Sequence, residues 1–75
     1  MHDNGTTAQQ RVLLHWNRSI SDALSHRDRR YLRFLQANIA ASTATFTGPA
    51  KTRALATLAR CAAASRYLGA RQHGR

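Results

Sequence analysis

The chain has 75 residues, enough for one small domain, and sets 12 Lys or Arg residues against three Asp and no Glu, a formal net charge of +9. Such a balance attracts nucleic acid, anionic lipid or an acidic protein surface, and the absence of Glu argues against general acid–base catalysis by paired carboxylates. The lone cysteine, Cys61, excludes a disulfide within the chain, and a free thiol fits a reducing compartment.

No apolar run approaches the roughly 20 residues of a membrane span, and no signal-peptide core follows Met1. A soluble, cytoplasmic, non-enzymatic protein without a cofactor is expected. Eleven of the 12 basic residues are Arg and only Lys51 is Lys. A GC-rich coding sequence would favour Arg and Ala together, but it would not make acids scarce.

Met1 to Gly5 is polar and is expected to be a frayed tail. Thr6 with Gln9 fits a capping box, a hydroxyl for orphan backbone N–H groups and an amide reaching back. A long amphipathic helix over about 7–42 follows. At about 100° per residue, Leu13, Trp16, Ile20, Ala23, Leu24, Tyr31, Phe34 and Leu35 fall on one side of the wheel. Leu14, Leu32 and Ile39 widen that side, and Arg11, His15, Arg18, Asp22, His26, Arg29 and Arg33 occupy the other. Asp22, four residues from both Arg18 and His26, reads as a local surface ion-pair cluster.

The phase falters at Ser25-His26-Arg27-Asp28, where no residue is apolar and Arg27 falls on the apolar side. Ser25 with Asp28 also matches a capping box, so two helices could meet there. A tight reversal would lack the Gly, Pro or Asn that turns favour, and the phase survives the gap. A continuous helix is the favoured expectation. The alternative is a three-helix bundle of Thr7–Leu24, His26–Ser42 and Pro49–Leu68.

Small and β-branched residues after Ala40 weaken helix propensity, giving a connection at about 43–48. Thr47 or Gly48 would cap the next helix, with Pro49 at its first position. Phe46 should fold over the ends of both helices. The second helix should run over about 49–68, with Gly69 or Gly74 near its end. Its inward side is read as Leu55, Leu58, Ala59, Ala62 and Ser65, bordered by Lys51 and Arg66. Its far side is read as Arg53, Arg60, Tyr67 and Arg71, separated by Thr57 and Ala64. Cys61 falls near the edge of the apolar side and is expected to be a semi-buried inert thiol. Residues 72–75 form a loose basic tail.

The expected fold is therefore all-α: a helical hairpin of a long amphipathic helix and a shorter Ala-rich one. At about 1.5 Å per residue the helices span roughly 54 Å and 30 Å. The second would leave Val12, Leu13, Trp16 and Ile20 uncovered, a patch that should be an interface. A homodimer forming a four-helix bundle is expected, with an interchain Arg27–Asp28 pair near the seam setting register.

Motifs for chemistry are lacking. His15 and His26 would stand about 16 Å apart along one helix, and no His-x-x-x-His or Cys-x-x-Cys spacing occurs. No metal site and no phosphate-cradling Gly-rich loop is expected. The favoured function is nucleic-acid binding, regulatory or architectural. An Arg53–Arg60–Tyr67–Arg71 stripe would meet phosphates, with Tyr67 stacking on an unpaired base, and Arg11, Arg18, Arg29 and Arg33 would form a second track. Nothing resembles a base-reading helix. The alternative is a mobile-element or phage-type accessory protein that docks on an acidic host protein or defence complex and inhibits it. A membrane-surface helix ranks third.

Overall fold

The computed structural model describes residues 4–73, with side chains from Ala8 to Arg71. The described residues form three helices: α1 (Asn4–Ser25), α2 (Arg29–Thr43) and α3 (Gly48–His73). The all-α class is as expected, and α2 and α3 make a hairpin around the Thr-Gly-Pro connection. The long helix, however, is divided. Of the tails expected at 1–5 and 72–75, residues 1–3, Gly74 and Arg75 lie outside the described residues, while Asn4, Gly5, Gln72 and His73 are helical rather than loose. α1 begins at Asn4, ahead of the expected cap at Thr6.

The division lies where the apolar phase faltered. Arg27 takes a left-handed conformation, φ 55°. The Asp28 N–H donates to the Ala23 carbonyl at 2.8 Å and the Arg27 N–H to the Leu24 carbonyl at 3.1 Å. These two bonds satisfy carbonyls that a helix end otherwise orphans, in the Schellman pattern. Asp28 then starts the next helix. Its Oδ1 accepts from the Tyr31 N–H at 3.0 Å, and its carbonyl accepts from the Leu32 N–H at 3.1 Å. An aspartate suits both tasks, since a short carboxylate reaches the first-turn donors. Asp28 is thus the N-cap itself and not the third residue of a box opened by Ser25, which ends α1.

The non-helical turn shifts the phase of α2 relative to α1. α1 keeps its expected face, with Leu13, Trp16, Ile20 and Ala23 buried. Leu14 is exposed. In α2 the buried set is Leu32, Leu35, Ile39 and Thr43, a helical repeat rotated away from the expected one. Tyr31 and Phe34 are turned outward.

The second reversal uses the expected residues. The Thr45 and Phe46 N–H groups donate to the Ser42 and Thr43 carbonyls at 2.9 and 3.0 Å. Gly48 opens α3 at φ 62°, a region glycine enters without steric cost. Phe46 is buried and stacks on Trp16, centroids 5.6 Å apart, so one ring closes the end of the bundle across all three helices.

α3 lies inward on a different face from the one expected. Ala54, Thr57, Cys61, Ala64, Ser65 and Leu68 are buried, while Leu55 is half exposed. Ala59 is exposed. Cys61 is wholly buried rather than at an edge, its thiol 3.3 Å from the Leu32 carbonyl. Burial raises its pKa and the nearby Arg60 charge lowers it by less, so the thiol stays protonated and unreactive. Gly69 does not end the helix. It is buried beneath Arg29, where a Cβ would stand 2.9 Å from the Arg29 Cζ.

These placements remove the basis for the expected dimer seam. Leu13, Trp16 and Ile20 are 7%, 7% and 0% exposed inside one chain, because α1 folds back along α2 and α3 instead of projecting past them. Val12 alone stays on the surface. Within the chain Asp28 forms no ion pair with Arg27, and its carboxylate serves the backbone of α2. Asp28→Ala is therefore expected to lower unfolding free energy by about 1 kcal/mol, and Asp28→Asn to restore most of it, because Asn caps nearly as well. Urea unfolding monitored at Trp16 checks this; a loss in the Asn variant equal to that in the Ala variant would mean the charge, not the cap, matters.

Candidate nucleic-acid interface

The direction of each helix decides which arginines share a surface. Asn17 Nδ2 donates to the Thr57 hydroxyl at 3.3 Å. One turn on, Arg60 Nη2 donates to the Ser21 hydroxyl at 2.9 Å. Both partners advance together, so α1 and α3 run parallel. Arg29 lies against Gly69 while Leu32 meets Cys61, so α2 and α3 run antiparallel. The bundle is up-down-up.

A polar seam joins α1 to α3 beside the apolar core. Asn17 is its hub. Its two amide hydrogens go to the Leu13 carbonyl, at 2.9 Å, and to the Thr57 hydroxyl. Its Oδ1 accepts from Arg60 Nη1 at 2.7 Å. The same Nη1 reaches the Asn17 carbonyl at 3.3 Å. Thr57 passes its own proton to the Arg53 carbonyl at 3.0 Å. Every polar atom of the Asn17 amide has a partner, which fixes the amide's orientation.

The seam explains the Arg53–Arg60–Tyr67–Arg71 stripe. Thr57 and Ala64, which separate these residues, are buried rather than outward. The stripe is therefore not the far side of α3 but the flank bordering α1. The four side chains themselves are exposed. Arg60 is committed: three of its contacts tie α3 to α1. Tyr67 is half exposed, but the Arg71 guanidinium sits 5.7 Å from its ring centroid. One ring face is thereby taken.

On α1, Arg11 and Arg18 are seven residues apart, two helical turns, and both are exposed. Arg18 borders a shallow hollow with Asn17, Ser21, Asp22 and Ser25, all of α1. Arg53 and Arg60 edge the groove between α1 and α3, whereas Arg11 and Arg18, at a helical phase opposite Leu13 and Ile20, lie on the outer face of α1. Arg29 and Arg33, expected on the same track as Arg11 and Arg18, are carried elsewhere by the reversal. Arg33 lines a hollow with Gln36, Ala37, Ala40 and Leu58, on the α2–α3 side. Arg29 is partly buried over Gly69, and among the described residues its Nε has no acceptor. The residues expected to form a dimer seam, Val12, Leu13, Trp16, Ile20, Arg27 and Asp28, contribute nothing to this groove beyond the core beneath it.

The electrostatics are one-sided. Among the described residues the only side-chain pairing of opposite charge types is His26 with Asp22, at 3.6 Å, and it needs a protonated imidazole. The imidazole Nδ1 also lies 2.8 Å from the Asp22 carbonyl, which can only accept. The expected Arg18–Asp22 contact is not formed. None of the arginines from Arg11 to Arg71 is paired with a carboxylate among the described residues. Among those residues no group of three His, Cys or Asp side chains is disposed to hold a metal ion, and no helix is long and apolar enough to cross a membrane.

No protein-family model, curated protein or solved structure shows detectable similarity to this chain.

Arg53 and Arg60 are alike in sequence but not in position. Arg60→Ala is expected to cost about 1 kcal/mol of stability, the net worth of its hydrogen bonds to α1. Arg53→Ala should change stability by less than about 0.5 kcal/mol, as an exposed substitution. Thermal melts of the two variants test the assignment; equal effects would contradict it.

Proposed function

We propose that this protein binds nucleic acid through phosphate contacts on the surface that runs from the groove between α1 and α3 over the outer face of α1, with Arg11, Arg18, Arg53 and Arg71 as the principal contacts. The observation that carries this is the unspent charge: four exposed arginines stand on α1 and α3, and none of the arginines from Arg11 to Arg71 meets a carboxylate among the described residues. A guanidinium fork matches phosphate oxygens, and neutralising phosphates releases condensed counterions. Arg60 serves differently, as the residue that holds the groove's two walls together.

The groove has no Asn or Gln cluster at a helix start for reading base edges, and the binding proposed is to the backbone, with weak sequence preference. A small structural or regulatory role on nucleic acid fits that chemistry.

Fluorescence anisotropy with labelled duplex DNA across a salt series tests the proposal. Affinity should fall steeply as salt rises. The double variant Arg18→Ala/Arg53→Ala should weaken binding and flatten the log–log slope by roughly two, about one for each lost phosphate contact. Absence of binding to duplex or single strand even at low salt overturns the proposal and turns the search toward an acidic protein surface.

A further inference from the structure

The arginine groove leaves one feature of the surface without a role. Tyr31 and Phe34 are 39% and 61% exposed, and their rings stack on each other with centroids 6.0 Å apart and planes 20° from parallel. Scattered exposed apolar residues are ordinary. Two large rings held together outside a small core are not, since each forgoes burial that the chain could use.

The surroundings select the partner. The stretch from Arg27 to Phe34 reads Arg-Asp-Arg-Arg-Tyr-Leu-Arg-Phe, and its one acid, Asp28, is occupied in capping α2. Arg27 and Arg30 are exposed and stand four residues before Tyr31 and Phe34, while Arg33 is exposed on the α3 side. Arg30 precedes Phe34 by one helical turn and so lies beside it on the helix surface. Arg30 also lines a shallow hollow with Asp28, Arg29 and Arg33. One and two turns beyond Phe34 come only Ala37, Asn38 and Ala41, all exposed. Asn38 folds back, its amide donating to the Phe34 carbonyl at 3.0 Å. Nothing tall shields the ring.

We infer that Tyr31 and Phe34 form a stacking platform for unpaired bases, flanked by Arg27 and Arg30 for the phosphates, so that the protein holds single-stranded nucleic acid on the outer surface of α2. The inference rests on the proposed function for the class of partner, but it uses a different surface. Bases within a duplex are already stacked on their neighbours, and exposed aromatic faces favour unpaired ones. A second copy of the chain fits less well. A two-fold contact through this patch would bring its arginines against themselves. Two half-exposed rings also fall far short of the roughly 800 Å² per partner that a stable interface buries.

The test compares labelled oligothymidylate with a duplex of equal length at low salt, using the full chain after nuclease treatment. The variants are Tyr31→Leu/Phe34→Leu, which keeps apolar bulk but removes the rings, and Phe34→Trp, which keeps a ring. The double Leu variant should lose about ten-fold in affinity for oligothymidylate and keep its duplex affinity. Phe34→Trp should bind like the parent, with its added fluorescence quenched by the oligonucleotide. Unchanged oligothymidylate affinity in the double Leu variant overturns the inference. So does sedimentation showing a parent dimer that this variant dissociates, which would give the patch to a second copy. A parent that binds duplex but not oligothymidylate overturns this inference and leaves the groove proposal standing; one that binds neither overturns both.

Discussion

Asp28 closes one helix with its backbone N–H and opens the next with its carboxylate. The rest of the structure depends on that double use. Because the chain reverses within three residues, α1 lies back along α2 and α3, and Leu13, Trp16 and Ile20 find partners in their own chain. Because the turn adds residues without helical rotation, α2 presents Leu32, Leu35 and Ile39 inward and leaves Tyr31 and Phe34 outside. Because α1 and α3 end up parallel, Arg60 of α3 reaches Asn17 and Ser21 of α1. A chain of this size buries a modest fraction of its surface, so a change in which residues face inward alters both the core and the binding surface.

The α3 helix shows how a weakly apolar segment is placed. Its buried positions are Ala54, Thr57, Cys61, Ala64, Ser65 and Leu68, mostly small. Small side chains offer little transfer energy but allow close approach, which dispersion rewards. Orientation is then fixed by polar contacts at the margin. Asn17, Thr57, Arg60 and Ser21 form a connected set with directional geometry. The same set holds the walls of the proposed groove in register.

The parts legible in the sequence are those where large apolar residues kept an unbroken phase. The α1 face was readable because Leu13, Trp16, Ile20 and Ala23 are separated by three or four residues with nothing to compete. Phe46 was readable because a lone aromatic between two helices has few places to go. The reversal was visible as a gap in the phase, but the left-handed position carries Arg27 where glycine is usual, so the local signal for a turn was missing. Beyond the gap, Tyr31 and Phe34 outweighed Leu32 and Ile39 on a wheel that assumed one helix. In α3, Leu55 and Leu58 drew the apparent face away from the smaller residues that pack. Basic composition was plain from the sequence. Which arginines stand together depends on helix direction, which no single stretch encodes.

The left-handed residue also provides the most direct test of the reversal. In a reversal, glycine at position 27 relieves the strain of φ 55°, and Arg27→Gly should raise unfolding free energy by about 1 kcal/mol. In a continuous helix the same substitution would place glycine in a helix interior and lower stability by about the same amount. The sign alone distinguishes the two. A urea titration of parent and Arg27→Gly, with the slope unchanged, is the measurement to make. A higher midpoint supports the reversal and the arrangement of core and arginines built on it. A lower midpoint would contradict the three-helix bundle and return the apolar face of α1 to an interface between chains.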